Sequence, residues 1–536
     1  MTADSLLWLI ALGPAALFVC GILPLSVGRT HALCMARRCH AASGVAFVTS
    51  LCALIVNARL GALHTPTLGA DGVGFALYLD VLTTIMFVLV TFVGMIVMRY
   101  SRNYLDGDAG QARFFRWLSL TLASVLTVIV SGNLFQLALA WIATSLALHQ
   151  LLLFYPDRPA AVLAARKKFV ASRLGDLCLV AALALIFARF HSLDYAVILA
   201  RPSALAADAP LQHVAVLLVA AALLKSAQFP LHGWLLEVME TPTPVSALLH
   251  AGIINAGGFL LLRFADLIVT SPMALDALMI VGAVTALFGS VVMLTQTSVK
   301  VSLAYSTIAQ MGFMMLQCGL GAFSAALLHL VAHSLYKAHA FLSSGSVVDV
   351  ARAASSTSLG ARAHPGRLIL AIAIVSSVQL GVSALFGATL ILEPGIFTLG
   401  AIVLLGLTHL IVSAVDEQPT VIVIARASMR VAAVAAAYFT LQWAAAAVTA
   451  EALPAIRPLR GLFDLIVIVT TVLGFAMVTL LQSLLPRHAG EPRWQALYAH
   501  VSNGFYVNTI ANRLVLRYWP SPPPRALTTH LPTGGA

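Results

Sequence analysis

Residues 211–230, LQHVAVLLVAAALLKSAQFP, read as a membrane span that stops on a charge. The run has roughly the 20 residues needed to cross ~30 Å of hydrocarbon. Yet Lys225 lies inside it, and Pro230 follows. Proline has no N–H and clashes with the preceding turn, so the helix breaks there. Irregular backbone at membrane depth is tolerated where it lines a cavity or an ion site. The stretch therefore predicts a membrane protein with an ionisable group held at a helix break.

Working outward, the same apolar texture fills the chain. Of 536 residues, 60% are hydrophobic and 10% charged, against about 25% charged in a soluble domain. Further apolar runs lie near 5–27, 41–60, 76–98, 114–131, 134–154, 174–190, 243–263, 274–295, 302–320, 325–345, 368–390, 396–415, 431–449 and 462–485. They are apolar nearly all round, so run length decides and periodicity says little. The expected fold is an all-α polytopic bundle of about 14–15 transmembrane helices. It occupies 1–485, with a polar tail over 486–536 at the cytoplasmic face or the interface. The apolar stretch from Leu6 to Val27 exceeds a signal-peptide core, and Asp4 stands where a basic segment belongs, so no cleavable signal is expected.

The net charge of +11 has no basic block or aromatic–basic stripe behind it, which argues against nucleic acid as a partner. With the N-terminus outside, eighteen Lys and Arg fall in or beside cytoplasmic loops and six in external ones. Among the cytoplasmic set are Arg158, Arg166, Lys167, Lys168 and Arg173, read as one loop. That asymmetry is the positive-inside rule, and it places the tail inside. Cys34 and Cys39 with His31 and His40 lack zinc spacing. No iron–sulfur pattern is present either, so the chain is expected to carry no electrons and no cofactor.

Only five of the 31 basic residues are lysines. Lys225 and Lys337 sit inside predicted spans and Lys300 at a span edge, where the alternative is snorkelling to the interface. An intramembrane amine costs several kcal/mol unless solvated or paired, so it marks function by default. His329, His333 and Lys337 recur in steps of four, which puts them on one helical face over about 12 Å. Histidine passes protons near neutral pH. A metal site at the histidine pair would need further ligands that the sequence does not place nearby. His250 follows the Thr241-Pro242-Thr243-Pro244 restart, and is either a relay residue or a satisfied core histidine. Asp176 reads as a helix-start residue, capping the helix or pairing with Arg173. Glu237 and Glu240 read as solvated. Glu393 precedes Pro394 and reads as a second interrupted span, hinting at an inverted repeat. In the tail, Trp494–Tyr498 and Phe505–Tyr518 carry apolar residues at helical spacing, which serves lipid or a docked partner.

Three stretches carry a family resemblance: KSAQFPLHGWLLEVMETPTPVSALLHAG (225–252), VKVSLAYSTIAQMGFMM (299–315) and HLVAHSLYKAHAFLSSGSV (329–347). They resemble the proton-translocating membrane subunits of respiratory complex I and the Mrp antiporters, over most of 70–350. The resemblance implies an antiporter-like fold with inverted repeats and broken helices. It implies that Lys225 is the central lysine of the broken seventh helix, and His250 the relay residue of the eighth. Lys300, His329, His333 and Lys337 correspond to the relay between half-channels, and Asp176 to the acid of the RLGD motif. Two positions depart from the pattern. Ile142 follows Trp141 where the family usually has glutamate, and no lysine follows Lys337, leaving Glu393 as the nearest ionisable group in the second broken helix. With the tail HVSNGFYVNTIANRL, these departures look most like the DabB family, the membrane half of a two-part inorganic carbon pump. That implies a cytoplasmic zinc-holding DabA-like partner and a bacterial inner-membrane location. The implied role is energy coupling by protons or sodium, with no covalent chemistry in this chain. Rival readings are a subunit of a redox-driven pump or cation antiporter, and a non-conducting anchor.

Overall fold

The computed structural model describes residues 7–24, 29–199, 209–345, 365–408, 411–412, 421–488 and 490–519. Each of the fifteen apolar runs centres on a helix. In chain order these are α1 (Leu12–Ile22), α2 (Arg29–Leu60), α3 (Val81–Tyr104), α4 (Gln111–Val130), α5 (Leu134–Leu152) and α6 (Pro159–Phe190). Then come α7 (Ala209–Lys225), the short α8 (Gly233–Glu237), α9 (Thr243–Arg263), α10 (Pro272–Met293), α11 (Val299–Gly319) and α12 (Phe323–Leu342). The last third holds α13 (Pro365–Leu385), α14 (Pro394–Gly406), α15 (Val421–Thr449) and α16 (Leu462–His488), then α17 (Pro492–Ser502) and α18 (Val507–Tyr518) in the tail. Ten helices among the described residues are long and apolar enough to cross a membrane. Three more apolar helices are shorter, among them Leu211–Lys225 and Pro394–Gly406. α11 and α12 have the length but carry too many polar residues to join the ten.

The segment between α2 and α3 carries four short strands: β1 (Leu63–His64), β2 (Leu68–Ala70), β3 (Val73–Phe75) and β4 (Tyr78–Leu79). β1 pairs with β4 and β2 with β3, both antiparallel. Asp71 and Gly72, both at positive φ, turn the inner hairpin, as Asp-Gly does in a two-residue loop. β4 leads into α3, whose N-cap Asp80 accepts from the Thr83 amide. The same carboxylate takes a two-pronged contact from Arg263 at the end of α9, at 2.7 and 3.1 Å. Arg263 also lies over the rings of Tyr78 and Phe259.

Between α10 and α11 the backbones nearly touch. A Cβ on Gly312 would lie 2.5 Å from the Ala286 nitrogen, and one on Gly282 would lie 2.4 Å from that of Leu316. Gly289 and Gly319 continue the seam. Lipid offers no hydrophobic drive between helices, so close packing of small residues holds them.

Three expectations need correction. Residues 159–190 are one helix, so Arg166, Lys167, Lys168 and Arg173 lie on α6 rather than in a loop. Pro159 suits the first helical position, and the alanine-rich residues after it favour helix. Asp176 consequently lies mid-helix and caps nothing. It pairs with Arg173 one turn back, at 2.6 Å. Glu393 does not interrupt a span. Pro394 opens α14, where its missing N–H costs nothing. The Gln379 amide reaches the Phe397 carbonyl at 3.3 Å, so α13 and α14 run antiparallel and Glu393 sits at their turn.

Candidate proton path

The sequence brings titratable groups together in two clusters. The first forms where α7 stops. Lys225 is its last residue, and α8 restarts eight residues later. The Lys225 ammonium donates to the Ser145 hydroxyl at 2.7 Å and to the Trp141 carbonyl at 3.3 Å, with the Trp141 ring 4.4 Å from it. Trp141 and Ser145 are one turn apart on α5, so one face of that helix cradles the amine. Ile142, at the position where glutamate is usual, is not part of the cradle. Asp176 is buried on α6, which packs against α5 and α7. Lys168, on the same helix, is also buried, and its ammonium donates to the Ser145 carbonyl at 2.7 Å.

The second cluster lies along α9, α11 and α12. His250 sits in a π-turn, Leu249–Ile253, within α9. Such single-turn bulges are frequent at functional sites. Its Nδ1 pairs with the Thr307 hydroxyl at 2.9 Å, and its ring stacks on Phe341 at 4.3 Å. Lys337 is fully buried and donates to the Leu303 carbonyl at 3.0 Å. His329 uses both ring nitrogens, one on Gln317 at 3.0 Å and one on Gln310 at 2.6 Å. The His333 ring lies 6.3 Å from that of His329, and neither of its nitrogens has a hydrogen-bond partner among the described residues. Lys300, half-buried, donates to the Thr243 hydroxyl at 3.1 Å at the start of α9.

The partners on α11 follow one stripe: Lys300, Leu303, Thr307, Gln310 and Gln317. At 1.5 Å per residue it runs about 26 Å, close to the ~30 Å of the hydrocarbon core. Thr307, Gln310 and Gln317 escaped the sequence reading, although polar residues recurring at helical spacing in an apolar run are a readable signal. Lys167, Lys168 and Ser145 escaped it too. Beside Lys225 lies a small cavity lined by Met86, Val125, Ile129, Thr144, Gly252 and Phe259. The structure thus brings His250, His329, His333 and Lys337 into one cluster and Lys225 and Asp176 into another. Glu393 makes no side-chain hydrogen bond or ion pair to either among the described residues.

A third constellation joins the tail to the bundle. Lys167 donates to Glu237 at 2.6 Å, Asn512 at 2.6 Å, Asn508 at 2.8 Å and the Gly233 carbonyl at 3.3 Å. Both asparagine amides in turn donate to Glu237. Glu237 is therefore an ion-pair partner, not a solvated acid. The tail helix α18 docks here through its polar face, while Phe505, Ile510 and Leu514 stay exposed.

Lysines and histidines threaded through a helical bundle, one of them at a broken helix, define an antiporter-like membrane subunit. Residues 131–379 match the family described as NADH:quinone oxidoreductase/Mrp antiporter, TM. Residues 68–115 match NADH-Ubiquinone oxidoreductase (complex I), chain 5 N-terminus. A probable inorganic carbon transporter subunit DabB2 of Halothiobacillus neapolitanus is 40% identical over 529 residues, covering 96% of this chain and 94% of its own. A probable DabB of Hydrogenovibrio crunogenus is 50% identical over 273 residues, 50% of this chain and 52% of the relative. The Mrp complex of a Dietzia species superposes with a TM-score of 0.57 at 25% identity, over 99% of this chain and 58% of that one. Respiratory complex I of Thermus thermophilus shares the fold, with a TM-score of 0.54 at 19% identity, over 93% of this chain and 99% of that one. The chain belongs to the DabB family, within the antiporter-like membrane subunits of the quinone oxidoreductase and Mrp type.

Proposed function

We propose that this chain conducts protons through the Lys225 and histidine clusters and so energises inorganic carbon uptake by a DabA-like partner. The partner holds zinc on the cytoplasmic face and hydrates CO2 to bicarbonate, and the pair works in the bacterial inner membrane. The chain itself does no covalent chemistry. The observation that carries this reading is the pairing of Lys225 at a helix break with a polar stripe of nearly membrane depth on α11. Lysine and histidine in such sites load and release a proton according to their neighbours. One charge crossing 100 mV releases about 2.3 kcal/mol. Each tenfold accumulation costs about 1.4 kcal/mol, so one proton sustains roughly a fortyfold gradient. Sodium is the alternative ion.

The test is proton flux into liposomes holding the purified pair, driven by an imposed potential. Lys225→Arg keeps the positive charge but cannot release a proton. We expect flux to fall at least tenfold and carbon uptake to fall with it, while the pair still co-purifies. Normal flux in that variant shows that Lys225 is only a fixed charge. A second reading is a quinone-reductase pump subunit. It is favoured by 40% identity to chloroplastic NAD(P)H-quinone oxidoreductase subunit 5 of Physcomitrium patens over 282 residues, although this covers only 39% of that relative. A neighbouring run of quinone-reductase genes supports it, and a neighbouring gene for a large zinc protein supports ours.

A further inference from the structure

Two buried lysines meet on one serine. Lys168 donates to the Ser145 carbonyl and Lys225 to the Ser145 hydroxyl, each at 2.7 Å. Both side chains are buried. Other charged and titratable groups near the pair are few. On α6 they are Arg173 and Asp176, which pair with each other. On α5 it is His149, whose ring packs on Phe169. Beyond them, Lys167 is paired with Glu237. The cavity beside Lys225, walled by α3, α4, α5 and α9, carries no other charged or titratable side chain, and the Thr144 side chain also lines it. The single carboxylate within the cluster, Asp176, is shared by Arg173 and both lysines, one negative charge among three positive ones. Two ammonium groups sharing one residue in a dry interior repel, and interacting sites of this kind titrate as a pair.

We infer that Lys168 is a second proton-holding residue of the path, sharing one proton with Lys225 across Ser145. This rests on the proton-path reading above. With the proton on Lys168, Lys225 is a neutral amine. With the proton on Lys225, the charge faces the cavity toward α9 and Lys168 is neutral. The exchange conserves charge: what leaves one nitrogen arrives at the other, through the Ser145 hydroxyl once the Lys168 ammonium swings to it from the carbonyl of the same residue. The arrangement supplies what a mobile carboxylate otherwise supplies, a nearby charge change that drives the proton off Lys225. It fits the presence of Ile142 after Trp141, since Ser145, one turn on, takes the contact to the lysine.

The experiment is the pH profile of proton flux by the complete pair in liposomes, for Lys168→Met, Lys168→Arg and Ser145→Ala. Lys168→Met removes the repulsion, so Lys225 holds its proton more tightly. Flux falls at least tenfold and the midpoint moves up by about one pH unit. Lys168→Arg makes the repulsion permanent, so flux also falls and the midpoint moves down. Ser145→Ala severs the bridge but leaves both charges, and lowers flux with little movement of the midpoint. Full flux in Lys168→Arg, or unmoved midpoints in both Lys168 variants, overturns the inference. Should Lys168→Met fail to assemble with the partner, Lys168→Arg and Ser145→Ala decide alone. If Lys225→Arg stops flux and Lys168→Arg does not, only this inference falls. If neither affects flux, the proton-path reading falls with it.

Discussion

Arg263 and Asp80 show what a buried charge does when its role is to hold rather than to move. Their side chains are 3% and 7% exposed, and the guanidinium meets the carboxylate at two points. Removing one partner of such a pair costs about 3–5 kcal/mol, because the other is left uncompensated. Arg263→Met is therefore expected to lower the unfolding temperature of the detergent-solubilised protein clearly. Adding Asp80→Asn should restore part of the loss, and a double variant no better than the single one contradicts this account. The lysines are placed differently. Lys167, Lys168, Lys225 and Lys337 are all buried, and Lys300 is half-buried at a helix start. The loops and rims use arginine, which keeps its proton throughout. At this scale the sequence exposed Lys225, Lys337 and the histidine face, because each interrupts an apolar run. It hid Lys168, because three neighbouring cations made its segment look like a cytoplasmic loop. The scarcity of lysine was read for Lys225, Lys300 and Lys337, but not carried over to Lys167 and Lys168.

Among the elements, the long apolar runs were readable because a bilayer imposes a minimum length. Helix ends were not. α6 begins fifteen residues before the run read from 174, because helix propensity continues where apolarity stops. The strands were invisible, since two or three residues are too few to show alternation, although Asp71-Gly72 marked the turn. The turn at Glu393 was misread, because proline starts a helix as readily as it breaks one. Packing between elements was also out of reach. Gly282, Gly289, Gly312 and Gly319 repeat every seven residues within each helix of the pair, but only the structure shows them facing one another. Gly312→Val is expected to force α10 from α11, because its Cβ would lie 2.5 Å from the Ala286 nitrogen. Overpacking of this kind costs about 1–3 kcal/mol, occasionally more. It should also misplace Thr307 against His250. Thermal stability and proton flux should both fall, and an unchanged melting temperature contradicts the seam.

Across the whole molecule, the tail closes on the membrane bundle through Lys167, Glu237, Asn508 and Asn512. Gly233 lies under the contact, where a Cβ would come within 2.0 Å of the Asn508 side chain. Gly233→Val is therefore expected to lift α18 while leaving the spans folded. Limited proteolysis should then cut within 503–519 at least tenfold faster, and equal protection in the variant removes the latch from the account. Arg166 reaches the same tail, donating to the Trp519 carbonyl at 2.6 Å and lying over its ring. The sequence signalled an amphipathic tail helix, but the face it presents to the bundle is polar, and its apolar residues look outward.

The latch joins residues 341 and 345 positions apart in the chain. During translation, Lys167 enters the membrane region long before Asn508 and Asn512 have been made. Until they emerge from the ribosome, its ammonium has Glu237 and a backbone carbonyl but not the two amide oxygens that complete its shell. The bundle is thus sealed at this face by residues synthesised 341 and 345 positions after Lys167. A message cut short before codon 508 yields spans that insert but carry an open, charged seam. Quality-control proteases that recognise exposed polar surface in a membrane protein would meet that seam first.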